Sequence, residues 1–305
     1  MNIERKKLIY VPDGSLWWAK THAMTPTIDI QKDRIRVYFS SLDDNMVGRI
    51  GFVDLDKNNP DNILSISQEP IFDIGTDGTF DDNGVIPSSI ITYQNRKLLY
   101  YHGFQLLRKQ VRFLILTGLA TSDNGGNTFE RNTLVPLLDR NKDDVFIRSL
   151  PHVIYEDNLF KIWYSGVNQW TNVKDKILPI GNIRYVESNS YNDFSQSKVI
   201  RCLEPQSHEF SLSRPYIFRH NVTYKMLFSC RQRDSDQYKL GYAESKDGKV
   251  WNRNDQILRV SKPSGSWDSE MVCYTSIVSV NDKNYLFYNG NQFGSTGFGY
   301  AEVSF

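Results

Sequence analysis

Cysteine is scarce, with Cys202, Cys230 and Cys273 the only three in 305 residues. An odd number at wide spacings, without CxxC or a histidine at ligand spacing, excludes a disulfide framework and a zinc site and reads as buried free thiols. Nowhere do about 18 apolar residues run together, which excludes a membrane-spanning helix. The N-terminal MNIERKKLIYVPDG also lacks the apolar core of a signal peptide, so the expectation is a cytoplasmic protein. An excess of one charge is missing as well. Lys+Arg number 36 against 35 Asp+Glu, a net charge of +1, and no bulk field recruits nucleic acid or an anionic membrane. GxGxxG, GxxxxGK[ST], HExxH and GxSxG do not occur, which removes the motif basis for nucleotide, zinc-protease and serine-hydrolase chemistry. No metal site and no cofactor is expected from side-chain spacing, although a single axial Ca²⁺ held by scattered oxygens would leave no mark in a sequence.

Aromatic residues are plentiful: 17 Tyr, 17 Phe and 6 Trp. Many of them obey a repeat. In TPTIDIQKDRIRVYFS (from Pro26), IPSSIITYQNRKLLYY (Pro87), LPHVIYEDNLFKIWYS (Pro151), SRPYIFRHNVTYKMLFS (Pro215) and YTSIVSVNDKNYLFYN (Thr275), position +13 is Phe39, Tyr100, Tyr164, Phe228 and Tyr288. Each stretch is two β-prone runs around turn residues such as YQNR, YEDN and NDKN, the pattern of a hairpin. A third run follows in each, IGFVD, TGLAT, IRYVE, LGYAE and FGYAE. A fourth follows in most, EPIFDI, NTLVPLL, SKVIRCL and DQILRV. The last unit ends without one, and KKLIYV (6–11) is left to pair with it. A fixed period of this length signals a repeat architecture. The expectation is an all-β, five-bladed β-propeller of four-stranded antiparallel blades, with the N-terminal strand closing the last blade and residues 1–305 forming a single domain. A pair of β-sandwiches would also give many short strands, but has no reason for five equal periods.

In such a blade the start of the first strand and the end of the second share a face, so residues before each Pro and after +14 converge. Those positions supply His22, Arg148, Arg214, Arg231, Asp268, Tyr274, Asn289 and Asn291 as candidate substrate-binding residues. Trp17, Trp18, Phe104, Trp170 and Trp267 are candidate aromatic platforms around them. Cleaving a glycosidic bond needs a proton donor and a second carboxylate. Glu270, beside Trp267 and Met271, suits the acid, because an apolar setting raises a carboxyl pKa. Asp82 or Glu209 suits the second role. Arg148, Arg214 and Arg231 suit a planar anion, since the guanidinium fork matches carboxylate or phosphate. Each of these residues has a structural alternative: the acids as loop caps, the arginines as their ion-pair partners, His22 as a core imidazole. TSDNGGNTFER (121–131) and SKDGKVW (245–251) read as Asp-box turns in which the acidic side chain caps its own loop.

The repeated units, GYAESKDGKVW and WDSEMVCYTS…YLFYNGNQFGSTGFGYAE resemble the five-bladed propeller glycosidases of the arabinanase, invertase and levansucrase clan and the related mannoside phosphorylases. They look most like glycosidase-like propellers of bacterial surface-polysaccharide gene clusters. The resemblance spans about residues 15–305. In that clan an Asp precedes the first-blade and third-blade prolines, where this chain has Thr25 and Leu150, and the fourth-blade acid falls at Ser213. The clan's carboxylates therefore do not map here, and Glu270, Asp82 and Glu209 rest on the reading of the residues alone. The expectation is a glycoside hydrolase-like enzyme acting on a carbohydrate, carboxylated or phosphorylated, as a monomer or small homo-oligomer. Its rivals are a phosphate-dependent phosphorylase and a non-catalytic carbohydrate-binding propeller.

Overall fold

The computed structural model describes residues 1–107 and 110–305. The chain is all-β apart from three short 3₁₀ turns among the described residues, and no helix there is long and apolar enough to cross a membrane. Unit one is an antiparallel meander of Thr21–Ile30, Arg34–Leu42, Gly48–Asp56 and Ile63–Ile66. Val85–Tyr93 opens unit two, Ile147–Glu156 unit three, Glu209–His220 unit four and Cys273–Val280 unit five. A single parallel bridge, Arg148 to Leu116, joins units two and three into one sheet. The N-terminal strand Asn2–Tyr10 pairs antiparallel with the last strand, Phe298–Ser304, and so fills the fourth place in unit five.

The fourth runs are where sequence and structure differ. In unit one the outer strand is Ile63–Ile66, and EPIFDI adds only the isolated bridge Ile50–Phe72. In unit two NTLVPLL adds only the bridge Thr117–Leu138, beside the two-residue strand Glu130–Arg131. DQILRV splits: Asp255–Ile257 is a 3₁₀ turn, while Arg259–Val260 crosses over to pair parallel with Asn2 and Ile3. An outer strand packs on one side only, so its apolar pattern constrains pairing weakly.

The hairpin turns have the chemistry their residues suggest. Gln94-Asn95, Asp157-Asn158 and Asn281-Asp282 all have positive φ at both positions, as in the type I′ turn that matches strand twist. The +13 aromatics explain the packing. Phe39, Tyr100, Tyr164, Phe228 and Tyr288 are all 0% exposed, each in a core between two units. One such core joins Ile35, Val37 and Phe39 of unit one to Val280 and Phe287 of unit five. Successive side chains in a strand face opposite ways, so each sheet is sandwiched by both neighbours. The first strands touch in the cyclic order one, two, three, four, five, one, although their hydrogen-bonded sheets do not join into a ring.

The +14 position ties neighbours together through backbone groups. Ser40 Oγ donates to Val85 O at 2.8 Å, Ser165 Oγ to Leu212 O at 2.9 Å, and Ser229 Oγ accepts from Tyr274 N at 2.9 Å. The fifth unit bonds back to the first: Asn289 Oδ1 accepts from Thr25 N at 2.7 Å, and its Nδ2 donates to Ala23 O at 2.6 Å.

Candidate functional site

The first strand of every unit breaks register, twice in units one and four, and Thr25, Ser88, Leu150, Arg214 and Tyr274 fall in these gaps. Bulges re-aim side chains and are frequent beside active sites. Thr25, Leu150, Arg214 and Tyr274 also have positive φ, 57°, 53°, 50° and 55°. Such a conformation costs energy for any residue with a Cβ, and most for β-branched Thr25, so it persists only where surrounding structure enforces it.

These bulges ring a cavity of about 420 Å³ lined by all five units, a size suited to a small ligand. Phe104, Phe113, Tyr238, Tyr274 and Phe293 supply aromatic wall, and Ser149, Ser165, Ser211 and Ser213 supply hydroxyls. Arg231 and Lys176 are its cations. Among the described residues no carboxylate lines it. Arg231 lies over Phe210, Tyr238 and Phe293 at 5.0 to 5.5 Å from ring centroids, and its Nη2 meets Asp236 Oδ1 at 2.8 Å. Lys176 reaches the same Asp236 at 4.0 Å.

One wall conceals a further cation. His102 lines the cavity, and its Nδ1 shares a hydrogen bond of 3.1 Å with Ser88 Oγ. The Ser88 carbonyl accepts from Arg214, whose other terminal nitrogen donates to Thr27 Oγ1 at 3.1 Å and Ser276 Oγ at 3.2 Å. Arg214 is 1% exposed and, among the described residues, pairs with no carboxylate. Burial pulls its pKa down to about 9, which leaves it charged at neutral pH. Burial, and then the Arg214 charge, lowers His102 and His152 to about 3, so both are neutral in the folded protein. The unfolded chain takes up these two protons below pH 6.5 while the folded one does not. Stability is therefore present above that pH and falls as pH drops through the window from 6.5 toward 3, by about 1.4 kcal/mol per pH unit for each imidazole. Urea midpoints between pH 7 and 5, above the carboxylate range, check this, and His152→Phe is expected to flatten the slope. A midpoint that does not move over that interval refutes the buried neutral pair.

The structure does not gather the three candidate acids in the cavity. Glu209 is 1% exposed and held by a two-pronged Arg253 fork at 2.6 and 2.8 Å. Burial pushes its pKa up, but the Arg253 hydrogen bonds outweigh this and hold it below the usual carboxylate range. It lines a separate cleft with Arg184 and Arg233. Asp82 accepts from Gly78 N at 2.9 Å in its own loop. Glu270 is exposed, and its carboxylate meets Gln237 at 3.4 Å, next to the cavity residue Tyr238.

A repeat accounts for Glu209 and for Asp268. Tyr101 donates to Asp81, Tyr164 to Asp144 and Tyr288 to Asp268, each at 2.8 Å and each across 20 residues. All three acids are 0% exposed, and each faces an arginine: Arg131 at 2.8 Å, Arg184 at 3.3 Å and Arg5 at 3.5 Å. Glu209 with Arg253 is the same device in unit four, where Phe228 replaces the tyrosine and lies 5.0 Å under Arg253. Each acid anchors the segment entering a first strand. Gly166 is required in this device, because a Cβ there would lie 2.3 Å from Asp144 Oδ1.

Other candidates also turn out to be anchored elsewhere. Arg148 faces a side cleft, donating to Asp139 O at 2.9 Å and Tyr164 Oη at 3.0 Å. Asn289 spends its amide on unit one, as above. Asn291 accepts from Glu270 N and Met271 N and donates to Ser266 O, which leaves it a loop clamp. His22 is half-buried with Nδ1 3.0 Å from Thr21 Oγ1 and does not line the cavity. Trp18 and Trp267 are core, Trp267 stacking on Tyr288 at 5.0 Å, and Trp17 donates to Glu69 at the surface. The Asp-box reading survives with one change. Asp247 Oδ1 accepts from Lys249 N and Val250 N, but in the first turn Asn124 does this work and Asp123 pairs with Arg96.

Lys176, His102, Phe113, Tyr238 and Phe293 are cavity residues that sequence reasoning missed. Lys176 comes from the overlong hairpin of Leu159–Val173 and Lys176–Ser188, whose end leans over the cavity with Leu178 and Pro179. The signal was its length, 15 and 13 residues where the corresponding strands of unit four have 10 and 8.

No family model matches the chain. The protein named uncharacterized protein Rv1502 of Mycobacterium tuberculosis strain H37Rv is 32% identical over 294 residues, 96% of each chain, and a counterpart in strain CDC 1551 is 31% identical over the same span. Among solved structures, a glycosyl hydrolase from Bacteroides ovatus superposes with a TM-score of 0.76 at 13% identity, over 99% of this chain and 93% of that one. A structure from the GH130 family of mannoside phosphorylases, described as containing glycoside hydrolases that target β-1,2 mannosidic linkages, gives 0.73 at 14% identity, over 99% and 93%. A thermostable family-43 glycoside hydrolase gives 0.71 at 17% identity, over 98% and 91%. The chain shares its fold with these solved glycoside hydrolases, and it belongs to one family with mycobacterial Rv1502.

Proposed function

We propose that residues 1–305 form one five-bladed propeller whose axial cavity binds an anionic sugar, and that the chain acts as a carbohydrate-binding member of the glycosidase superfamily without a paired-carboxylate mechanism. The observation that carries this reading is the composition of the cavity wall. All five units contribute to it, and the bulge positions hold Thr25, Leu150, Arg214 and Tyr274 but no acid. Aromatic faces suit the apolar faces of a sugar ring, and the serine hydroxyls suit its hydroxyls. Arg231, Lys176 and the concealed Arg214 bring three cations to the cavity, two of them beside Asp236, and among the described residues no carboxylate lines it, which favours a ligand carrying carboxylate or phosphate. The cyclic contacts of the first strands, and the Asn289 link from unit five to unit one, support closure into five blades.

A hydrolase remains the second reading, supported by the exposed Glu270 beside Gln237 at the cavity edge. Retaining or inverting cleavage needs a second carboxylate within about 10 Å of the first. One experiment separates the two readings. Calorimetric titration with glucuronic acid, glucose 6-phosphate and glucose is paired with assays of nitrophenyl glycosides, with and without inorganic phosphate, on the parent protein and on Glu270→Gln. The binding reading expects preference for the charged sugars, unchanged in the variant, and no turnover. Turnover abolished in Glu270→Gln establishes the hydrolase instead, and turnover that requires phosphate establishes a phosphorylase.

A further inference from the structure

The axial cavity has an apolar annex. A second cavity of about 340 Å³ opens between units one and two and shares Met24, Ile86 and Phe104 with the first. Leu42, Met46, Val47 and Leu106 make its remaining side walls. Its floor is backbone: Gly48 and Gly84 meet in an isolated parallel bridge, and a Cβ on Gly84 would come within 3.5 Å of Phe104 Cβ. Asn45 and Asn83 are its polar lining, and Asn83 Oδ1 is engaged by Leu106 N at 3.2 Å. No charged side chain lines it among the described residues.

Met46 is 61% exposed and Leu106 58% exposed, so this wall stands in water in the free protein. Large apolar side chains clustered on the lip of a ligand cavity mark a contact surface, whereas single exposed ones do not. A bare sugar gives them nothing to bury. Met24 and Met46 are unbranched and adaptable, which suits a flexible occupant over a rigid one. Met24, Ile86 and Phe104 are wall to both cavities, so a single ligand seated in the axial cavity has the annex within reach.

We infer that the ligand is an anionic sugar bearing an alkyl or acyl chain, with the sugar in the axial cavity and the chain lying over Gly48 and Gly84 between units one and two. This assignment rests on the proposal that the axial cavity takes a sugar. Burying methylene groups contributes about 0.8 kcal/mol each, a factor of about four in affinity.

The test titrates the full chain with methyl, butyl and octyl glucuronides, each below its micelle concentration, and with octanoate alone. Affinity is expected to climb by up to about fourfold per methylene from methyl to octyl, and Leu106→Asp is expected to flatten that climb. Leu106 is exposed, so the variant folds, and Met46→Asp provides an independent check. Equal binding of the methyl and octyl glucuronides overturns the annex while leaving the sugar reading in place. Octanoate that binds the parent but not Leu106→Asp, with no binding of any glucuronide, overturns the sugar reading and the linked ligand but keeps an alkyl groove. A concentration-dependent dimer in sedimentation, dispersed by Leu106→Asp, gives the groove to a second copy of the chain and overturns the inference.

Discussion

Asp144→Asn is expected to cost about 3–5 kcal/mol of stability, because breaking a buried ion pair strands its partners without solvent or counter-charge. Asp144 is 0% exposed and is the shared acceptor of unit three: Tyr164 Oη donates to it at 2.8 Å, Arg184 Nε at 3.3 Å, and Arg148 Nε stands 3.8 Å away. The amide keeps the shape and loses the charge. Arg184, 1% exposed, would then lack its carboxylate, with a terminal nitrogen already unpartnered. A loss of that size is a large share of the 5–15 kcal/mol that holds a typical domain together. Urea denaturation at neutral pH measures it, and a loss below about 1 kcal/mol would mean that the repeated acid–arginine device is decoration. The same replacement at exposed Asp123, paired to Arg96 on the surface, is expected to change little, because solvent screens an exposed pair.

Arg231→Ala is expected to weaken binding of an anionic sugar by about 30- to 150-fold, the range that charge-assisted hydrogen bonds of about 2–3 kcal/mol provide. Arg231 is the guanidinium that lines the cavity directly, held among three aromatic rings and Asp236. Its loss also removes the guanidinium that neutralises Asp236 and leaves that carboxylate with Lys176 at 4.0 Å, which adds repulsion toward an anionic ligand. Arg231→Lys is expected to recover part of the affinity, since it restores charge without the planar fork. Calorimetry with glucuronic acid and with glucose reads the outcome: the charged sugar loses and the neutral one changes little. Equal loss for both would show that Arg231 shapes the pocket and does not recognise charge.

The repeat was plain in the chain because it reports packing that recurs. An aromatic at +13 sits between two sheets in every unit, so Phe39, Tyr100, Tyr164, Phe228 and Tyr288 had to recur. The positions before each first strand and past each +14 residue were legible for the same reason, and of these Arg231 and Tyr274 line the cavity while Arg214 lies behind the His102 wall. The acids were harder to read. Glu209 and Asp268 carry the same residue class as a catalytic acid, and nothing local distinguishes a carboxylate awaiting a substrate from one already held by an arginine. They recur with Asp81 and Asp144 at or just ahead of four first strands, each beside an arginine, a pattern that becomes visible only once those arginines are placed.

By itself the sequence determined what is periodic: the order of the first three strands of each unit, turn chemistry, the aromatic cores between units and the face on which loops converge. It could do so because each of these depends on residues close in the chain and repeats at a constant interval. The tertiary structure decided what is paired: Arg5 with Asp268, Asn289 with Thr25 and Ala23, Arg214 with three units at once. Those partners are far apart in the chain, and whether a charge is free to meet a ligand depends on which one stands beside it after the units have packed together.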